Sequence, residues 1–277
     1  AAATEVRVHD SDFESNMAYM EGGGVLLTTV TGHFRDSRFT RNRAEEDALQ
    51  YNPLISTAPA GFGGAMSMRG GRPTVSTCSF VGNAAGQAGG AIHAHDGCAG
   101  TVTDAQVSEN GALYGGGVWA CSSSLNVVDS RFDSNWGDKN GGGVHVERDS
   151  SVLERLTLTR NRAEQGGAFF SSSSSTTLRG NVLTGNTADL GGGVFSYQSS
   201  CQHDSNRIES NTAVLEGGGI AVVNGTDSFV DCVVQTNDAP LGGGMICQLG
   251  LNIIENMEII NNTARYGGGV YLNVTSA

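Results

Sequence analysis

Apolar and polar positions along this chain keep a clock of 25 or 26 residues, too long for the period of a helix or a strand. An apolar residue closes each glycine run at Val25, Met66, Ile92, Val118, Val144, Phe169, Val194, Ile220, Met245 and Val270, and only the first interval is longer, at 41 residues. Between the runs lie short alternating segments, such as Val144-His-Val146 and Val152-Leu-Glu-Arg-Leu156-Thr-Leu158, separated by Gly, Ser, Asn and Asp. Alternation over three to seven residues bounded by turn formers predicts short strands and tight turns, with no room for a capped amphipathic helix.

A unit of this length cannot bury its own apolar face, so neighbouring units must stack and share one core. The pattern therefore predicts an all-β chain, a right-handed parallel β-helix of about ten coils with 25–26 residues per coil. Ten coils at the strand spacing of about 4.8 Å give a rod roughly 50 Å long. The chain reads as a single domain over 1–277, with one break in the rhythm. An insertion at 43–62 carries Glu45, Glu46, Asp47 and Tyr51 as a candidate binding loop, and its other reading is a surface loop without a partner.

An asparagine recurs on the same clock, at Asn16, Asn42, Asn83, Asn110, Asn135, Asn161, Asn186, Asn211, Asn237 and Asn262. In all but Asn135-Trp-Gly137 it continues as N-x-A. Solvent has no reason to demand one residue at ten matching turns. The expectation is a ladder of amide hydrogen bonds from coil to coil, with the alanine on the narrow inside. The glycines are expected to supply positive φ or close approach of backbone layers at a corner. They form no phosphate cradle, since no Lys-Ser/Thr follows any of them.

After each glycine run the closing apolar residue and the residue two places on are expected to face inward, leaving the position between them exposed. Over five consecutive coils that outward column reads His93, Trp119, His145, Phe170 and Phe195. Such a ribbon of rings is either a contact surface, for sugar rings or for an apolar partner, or an aromatic ladder that only stabilises the sheet. His93 and His145 stand about 10 Å apart on this reading, too far to share a metal ion.

The pairing of F-x-x-N (Phe13 to Asn16, Phe39 to Asn42, Phe80 to Asn83, Phe132 to Asn135) with Gly89-Gly-Ala-Ile92 or Gly166-Gly-Ala-Phe169 resembles the repeats of chlamydial polymorphic outer membrane proteins. It is also similar to related β-helix repeats of other microbial and protist surface proteins. The resemblance covers essentially the whole chain and implies a cell-surface β-helix with an adhesive or structural role. Most copies here have Gly-Gly-Gly in place of Gly-Gly-Ala, and there is no membrane-barrel segment.

Composition narrows the partners. A formal net charge of −12 with only 16 Lys and Arg leaves no basic stripe, which argues against nucleic acid and against a purely electrostatic polyanion ligand. No apolar run reaches 18 residues, so no direct membrane insertion is expected in this segment. The first coil begins almost at residue 1 and no capping element follows the last strand, which predicts a segment or subunit of a larger extracellular assembly. Six cysteines form no C-x-x-C pair and no ligand cluster with histidine. Their even number favours disulfides, and Cys98 with Cys121, in adjacent coils near one turn, is the candidate pair. Three sequons, at Asn224, Asn261 and Asn273, are candidate N-glycosylation sites.

No cofactor and no catalytic constellation is expected. Acids scatter, and the nearest groupings, Asp104 with Asp129 and the acids of the insertion, have no evident basic partner in the sequence. The reading is a non-catalytic extracellular or cell-surface protein, a fibre or appendage body or an adhesin. Its expected partners are other copies, other surface or matrix proteins, or glycans. The alternative is a polysaccharide-binding or polysaccharide-modifying β-helix.

Overall fold

A computed structural model describes residues 5–45 and 61–273. The candidate loop residues Glu46, Asp47 and Tyr51 lie outside the described residues.

Three ten-stranded, all-parallel sheets run the length of the stack, each taking one strand from every coil. In the sixth coil these strands are Phe169–Ser172, Thr177–Arg179 and Val182–Thr184. A fourth, shorter ladder follows the repeated asparagine, as in Thr187–Leu190 against Thr212–Glu216. Strand pairing preserves the sequence clock: Val144 lies on Phe169, Phe169 on Val194 and Val194 on Ile220. Most strands of the second and third sheets are three residues long with a single inward side chain at the centre, as in Thr157-Leu158-Thr159.

The corners are made by single residues in the left-handed region. Arg155, Arg160 and Arg148 have φ of 53°, 53° and 49°, and most of the corresponding positions in other coils hold Asp, Ser, Thr, Asn or Gly, with Glu109, Gln198 and Leu249 among the exceptions. In the inner coils these corner residues are mostly followed by an inward one, as Arg148 by Asp149, Arg155 by Leu156 and Arg160 by Asn161, which is why the chain can turn three times per coil without losing its alternation. A non-glycine residue in this region costs about 1–2 kcal/mol, and stacking of like corners repeats that cost in every coil. Glycine is required at the fourth corner. Gly191 has φ +64°, and a Cβ on Gly192 would lie 2.5 Å from the carbonyl oxygen of Gly218 in the next coil.

The interior is a continuous apolar column that includes Met66, Ile92, Val118, Val144, Phe169, Val194, Ile220 and Met245. The phenylalanines of the F-x-x-N segments also point inside. Phe13, Phe39 and Phe80 stack face to face with centroids 4.7 and 4.8 Å apart, the axial repeat of the coils. The alanines after the repeated asparagine are buried in all but the two end coils, Ala188 and Ala213 among them, whereas Ala18 and Ala264 are half-buried.

The asparagines form one ladder from Asn16 to Asn262. At Asn186, the side-chain oxygen accepts from the backbone N–H of Asn161 at 2.9 Å and from its amide at 3.0 Å. The Asn186 amide donates to Asn211 Oδ1 and to the carbonyl of Leu158, both at 2.9 Å. All four hydrogen-bonding positions of the side chain are thereby used. Two further polar columns occupy the other corners: Asn181 and Asn206 in one, where Asn181 Oδ1 accepts from the backbone N–H of Leu156, and Ser123, Asp149, Ser174 and Ser199 in the other.

The candidate disulfide does not form. All six cysteines are free, five of them buried. Cys98 faces the core with no exposed surface, whereas Cys121 ends its strand on the outward side, between His95 and Glu147 of the adjoining coils. Its sulfur meets the Arg148 guanidinium at 3.7 Å. Two thiols on opposite faces of the same wall cannot be bridged.

Candidate functional site

The column predicted to stand exposed is covered. His93, His145, Phe170 and Phe195 are each no more than 5% exposed, and Trp119 is half-buried. The strand alternation is as expected, with Val118 and Ala120 inward and Trp119 on the other face. What the alternation could not reveal is the segment lying outside it. As the chain approaches each glycine run, the residue before the first glycine pairs with its counterparts in neighbouring coils, in the bridges Phe62↔Ala88, Ala88↔Tyr114, Asn140↔Gln165, Gln165↔Leu190 and Glu216↔Leu241. The positive-φ glycine then folds the chain back, so these residues form a wall beside the outer face of the strand that follows. The second wall comes from the end of that strand, where Glu147, Ser172, Tyr197 and Gln248 project outward.

Between the walls runs a longitudinal cleft floored by the aromatic column. One stretch, of about 480 Å³, is lined by Phe62, Tyr114, Trp119, Asn140, His145 and Glu147 among others. The next, of about 530 Å³, shares Asn140, Phe170 and Ser172 with the first and continues past Gln165, Phe195 and Tyr197. The side-chain amide of Gln248 donates to Glu216 from one wall to the other, spanning the far end. At the opposite end Ser67 Oγ donates to Glu21 at 3.4 Å.

The rings of the floor form a connected series. His93 stacks on Trp119 with centroids 4.8 Å apart and on Phe62 at 5.1 Å. Trp119 meets His145 at 5.9 Å, and His145 meets Phe170 edge-on at 4.6 Å. Phe170 and Phe195 lie parallel at 5.6 Å. Burial alone holds the His145 imidazole down to about 3, and burial together with the neighbouring His95 holds His93 well below the usual histidine range. Both rings are therefore neutral at pH 7. Trp119 stands between them, and among the described residues no group of three or more His, Cys, Asp or Glu could hold a metal ion.

The remaining sequence candidates fall elsewhere. Glu45, at the base of the insertion, pairs with Arg43 at 3.4 Å, and the insertion rejoins the stack at Gly61 and Phe62, the latter in the cleft wall. Asp129, read from sequence as lacking a basic partner, accepts two bonds from Arg155 at 2.6 and 2.8 Å, which hold its carboxyl below the usual range. Asn224 and Asn261 are exposed at left-handed corners with φ of 54° and 55°, and Asn273 ends the last strand. The wall residues Tyr114, Asn140 and Gln165 were missed by sequence reasoning, because their column mixes Phe, Ala, Tyr, Asn, Gln, Leu and Glu. Their fixed position just ahead of each glycine run was the available signal.

A family profile described as right handed beta helix region matches residues 2–239. No curated protein and no solved structure matches the chain.

Proposed function

Because the chain belongs to the right-handed β-helix family, we propose that it is a non-catalytic rod of a cell surface or extracellular matrix that holds an extended glycan in its longitudinal cleft. The observation that carries this reading is the cleft itself: a floor of stacked rings between walls of amides, hydroxyls and carboxylates, continuous over several coils. Rings present flat apolar faces to a pyranose, and side chains at the rims can pair with its hydroxyls. An extended peptide is less well served. The cleft walls are side chains, with no open strand edge to take up a peptide's backbone hydrogen bonds.

The non-catalytic reading is supported by the spacing of the carboxylates that line the cleft. Glu147 belongs to the fifth coil and Glu216 leads into the eighth, an axial separation of about 14 Å at about 4.8 Å per coil. Carboxylate pairs that hydrolyse glycosidic bonds stand about 5–9 Å apart. The adhesive role follows the resemblance of the F-x-x-N and G-G-A-I repeats to polymorphic outer membrane proteins. The extracellular setting is supported by the exposed sequon residues Asn224 and Asn261, and no longer by the cysteines, which are free.

The experiment is a glycan array probed with the parent protein and with Trp119→Ala, followed by chromatography of any bound glycan after long incubation. Binding that Trp119→Ala abolishes, with the glycan recovered intact, is expected. Shortened or unsaturated products would overturn the non-catalytic reading, and equal binding by both proteins would move the site away from the cleft.

A further inference from the structure

The floor of the cleft keeps polar atoms that the protein leaves without partners. Both ring nitrogens of His145, both of His93 and Nε1 of Trp119 are buried with no hydrogen-bond partner among the described residues. An unmade buried hydrogen bond is unfavourable, and native chains seldom retain one without a reason. The chain itself shows that the column accepts a ring without nitrogen, since Phe170 and Phe195 occupy the same position in the next two coils. His145 and Trp119 both line the first stretch of the cleft, beside the half-buried ring of Tyr114.

A second observation concerns charge. Neither stretch of the cleft is lined by a lysine or an arginine, whereas Glu147 lines one and Glu216 the other.

We infer that the cleft selects an uncharged glycan, whose hydroxyl groups pair with the ring nitrogens of Trp119 and His145 while a sugar ring lies against Tyr114 and Trp119. This rests on the reading of the cleft as a glycan site. A neutral imidazole offers one donor and one acceptor and an indole one donor, a set that sugar hydroxyls, each both donor and acceptor, can match. A uronate or sulfate group would have to shed its water beside Glu147 with no cation lining the cleft to replace it. His145 cannot supply that cation, because burial keeps it neutral at pH 7.

The test is calorimetric titration of the whole chain with cellohexaose, mannohexaose and xylohexaose as neutral probes and with hexagalacturonate and a heparin hexasaccharide as anionic ones. At least one neutral probe is expected to bind, with an affinity that changes less than about twofold between about 50 mM and about 500 mM salt, since no ion pair is made. His145→Phe keeps the ring and removes the nitrogens. It is expected to bind that probe about tenfold more weakly, the equivalent of about 1.4 kcal/mol, while melting no lower than the parent. An anionic probe that binds more tightly than every neutral one would overturn the inference and leave the glycan-cleft reading standing. Unchanged affinity in His145→Phe would remove the nitrogens from recognition. Binding of no probe would overturn the cleft reading and the inference with it.

Discussion

Replacing Asn186 by alanine removes four side-chain hydrogen bonds from the middle of the rod: two accepted from Asn161 and two donated, to Asn211 and Leu158. At about 1 kcal/mol net for each bond the loss is about 4 kcal/mol. The backbone N–H of Asn161 and the carbonyl of Leu158 are left in a dry interior, so the cost is not expected to fall below about 3 kcal/mol. For a chain of this size about 2 °C of melting temperature goes with each kcal/mol, which gives a drop of roughly 8 °C. The same change at Asn16 is the internal control. Asn16 is exposed, receives nothing from a preceding asparagine, and its side chain gives one bond, to Asn42 at 2.9 Å. Asn16→Ala is expected to cost no more than about 1 kcal/mol. Circular dichroism melts give the two values. Because stacked repeats couple mainly to their neighbours, hydrogen exchange in Asn186→Ala is also expected to rise first in the coils holding Asn161 and Asn211. A melting temperature within about 1 °C of the parent, or equal losses for the two variants, would refute the ladder as a source of stability.

Two further outcomes follow from the buried rings and thiols. His93 and His145 are held neutral in the folded chain, His145 down to about 3. The unfolded chain titrates these residues near 6.5 and so binds more protons below that pH, which means stability is lost as the pH falls through the window below about 6.5. His145, held down to about 3, is expected to cost about 2 kcal/mol at pH 5, and His93 adds to it in the same direction, so urea midpoints should fall between pH 7 and pH 5 and His145→Phe should make that fall smaller. The carboxyls that arginine holds low, Asp12 and Asp129, act only at more acidic pH and do not enter this window. A midpoint flat from pH 7 to pH 5 would contradict the burial of both rings. For the thiols, alkylation of the native protein is expected at Cys121 alone, and alkylation in denaturant without reductant at all six positions. Fewer than six modified residues in denaturant would restore a disulfide.

The period, the ten coils, the inward apolar column and the recurring asparagine were legible in the sequence because each repeats one residue type at one place in every coil. The cover over His93 to Phe195 was not. Alternation tells which side of a strand a residue takes, but it is silent on whether another segment lies beyond that side. The covering wall also varies in chemistry from Phe62 to Gln165. The Cys98–Cys121 pairing failed for a related reason. A closeness in offset from the glycine run placed both residues near one corner, while the left-handed corner at Asp96 and Gly97 turns Cys98 inward and Cys121, still on its strand, stays on the outer face. The corner columns through Asn181 and Asp149 were hidden because no one residue type holds them, Asn, Ser, Asp, Cys, Ala, Leu and Met all occurring from coil to coil, although these residues follow a left-handed corner residue.

The most direct test of the cleft is the fluorescence of Trp119 during titration with the tightest-binding hexasaccharide. The chain has two tryptophans, so Trp136→Phe leaves Trp119 as the only reporter. A saturable change in its emission, with the same midpoint as the heat of binding, is what a glycan lying against the Trp119 ring predicts. Heat of binding with no change in Trp119 emission would place the ligand elsewhere on the rod and contradict the account.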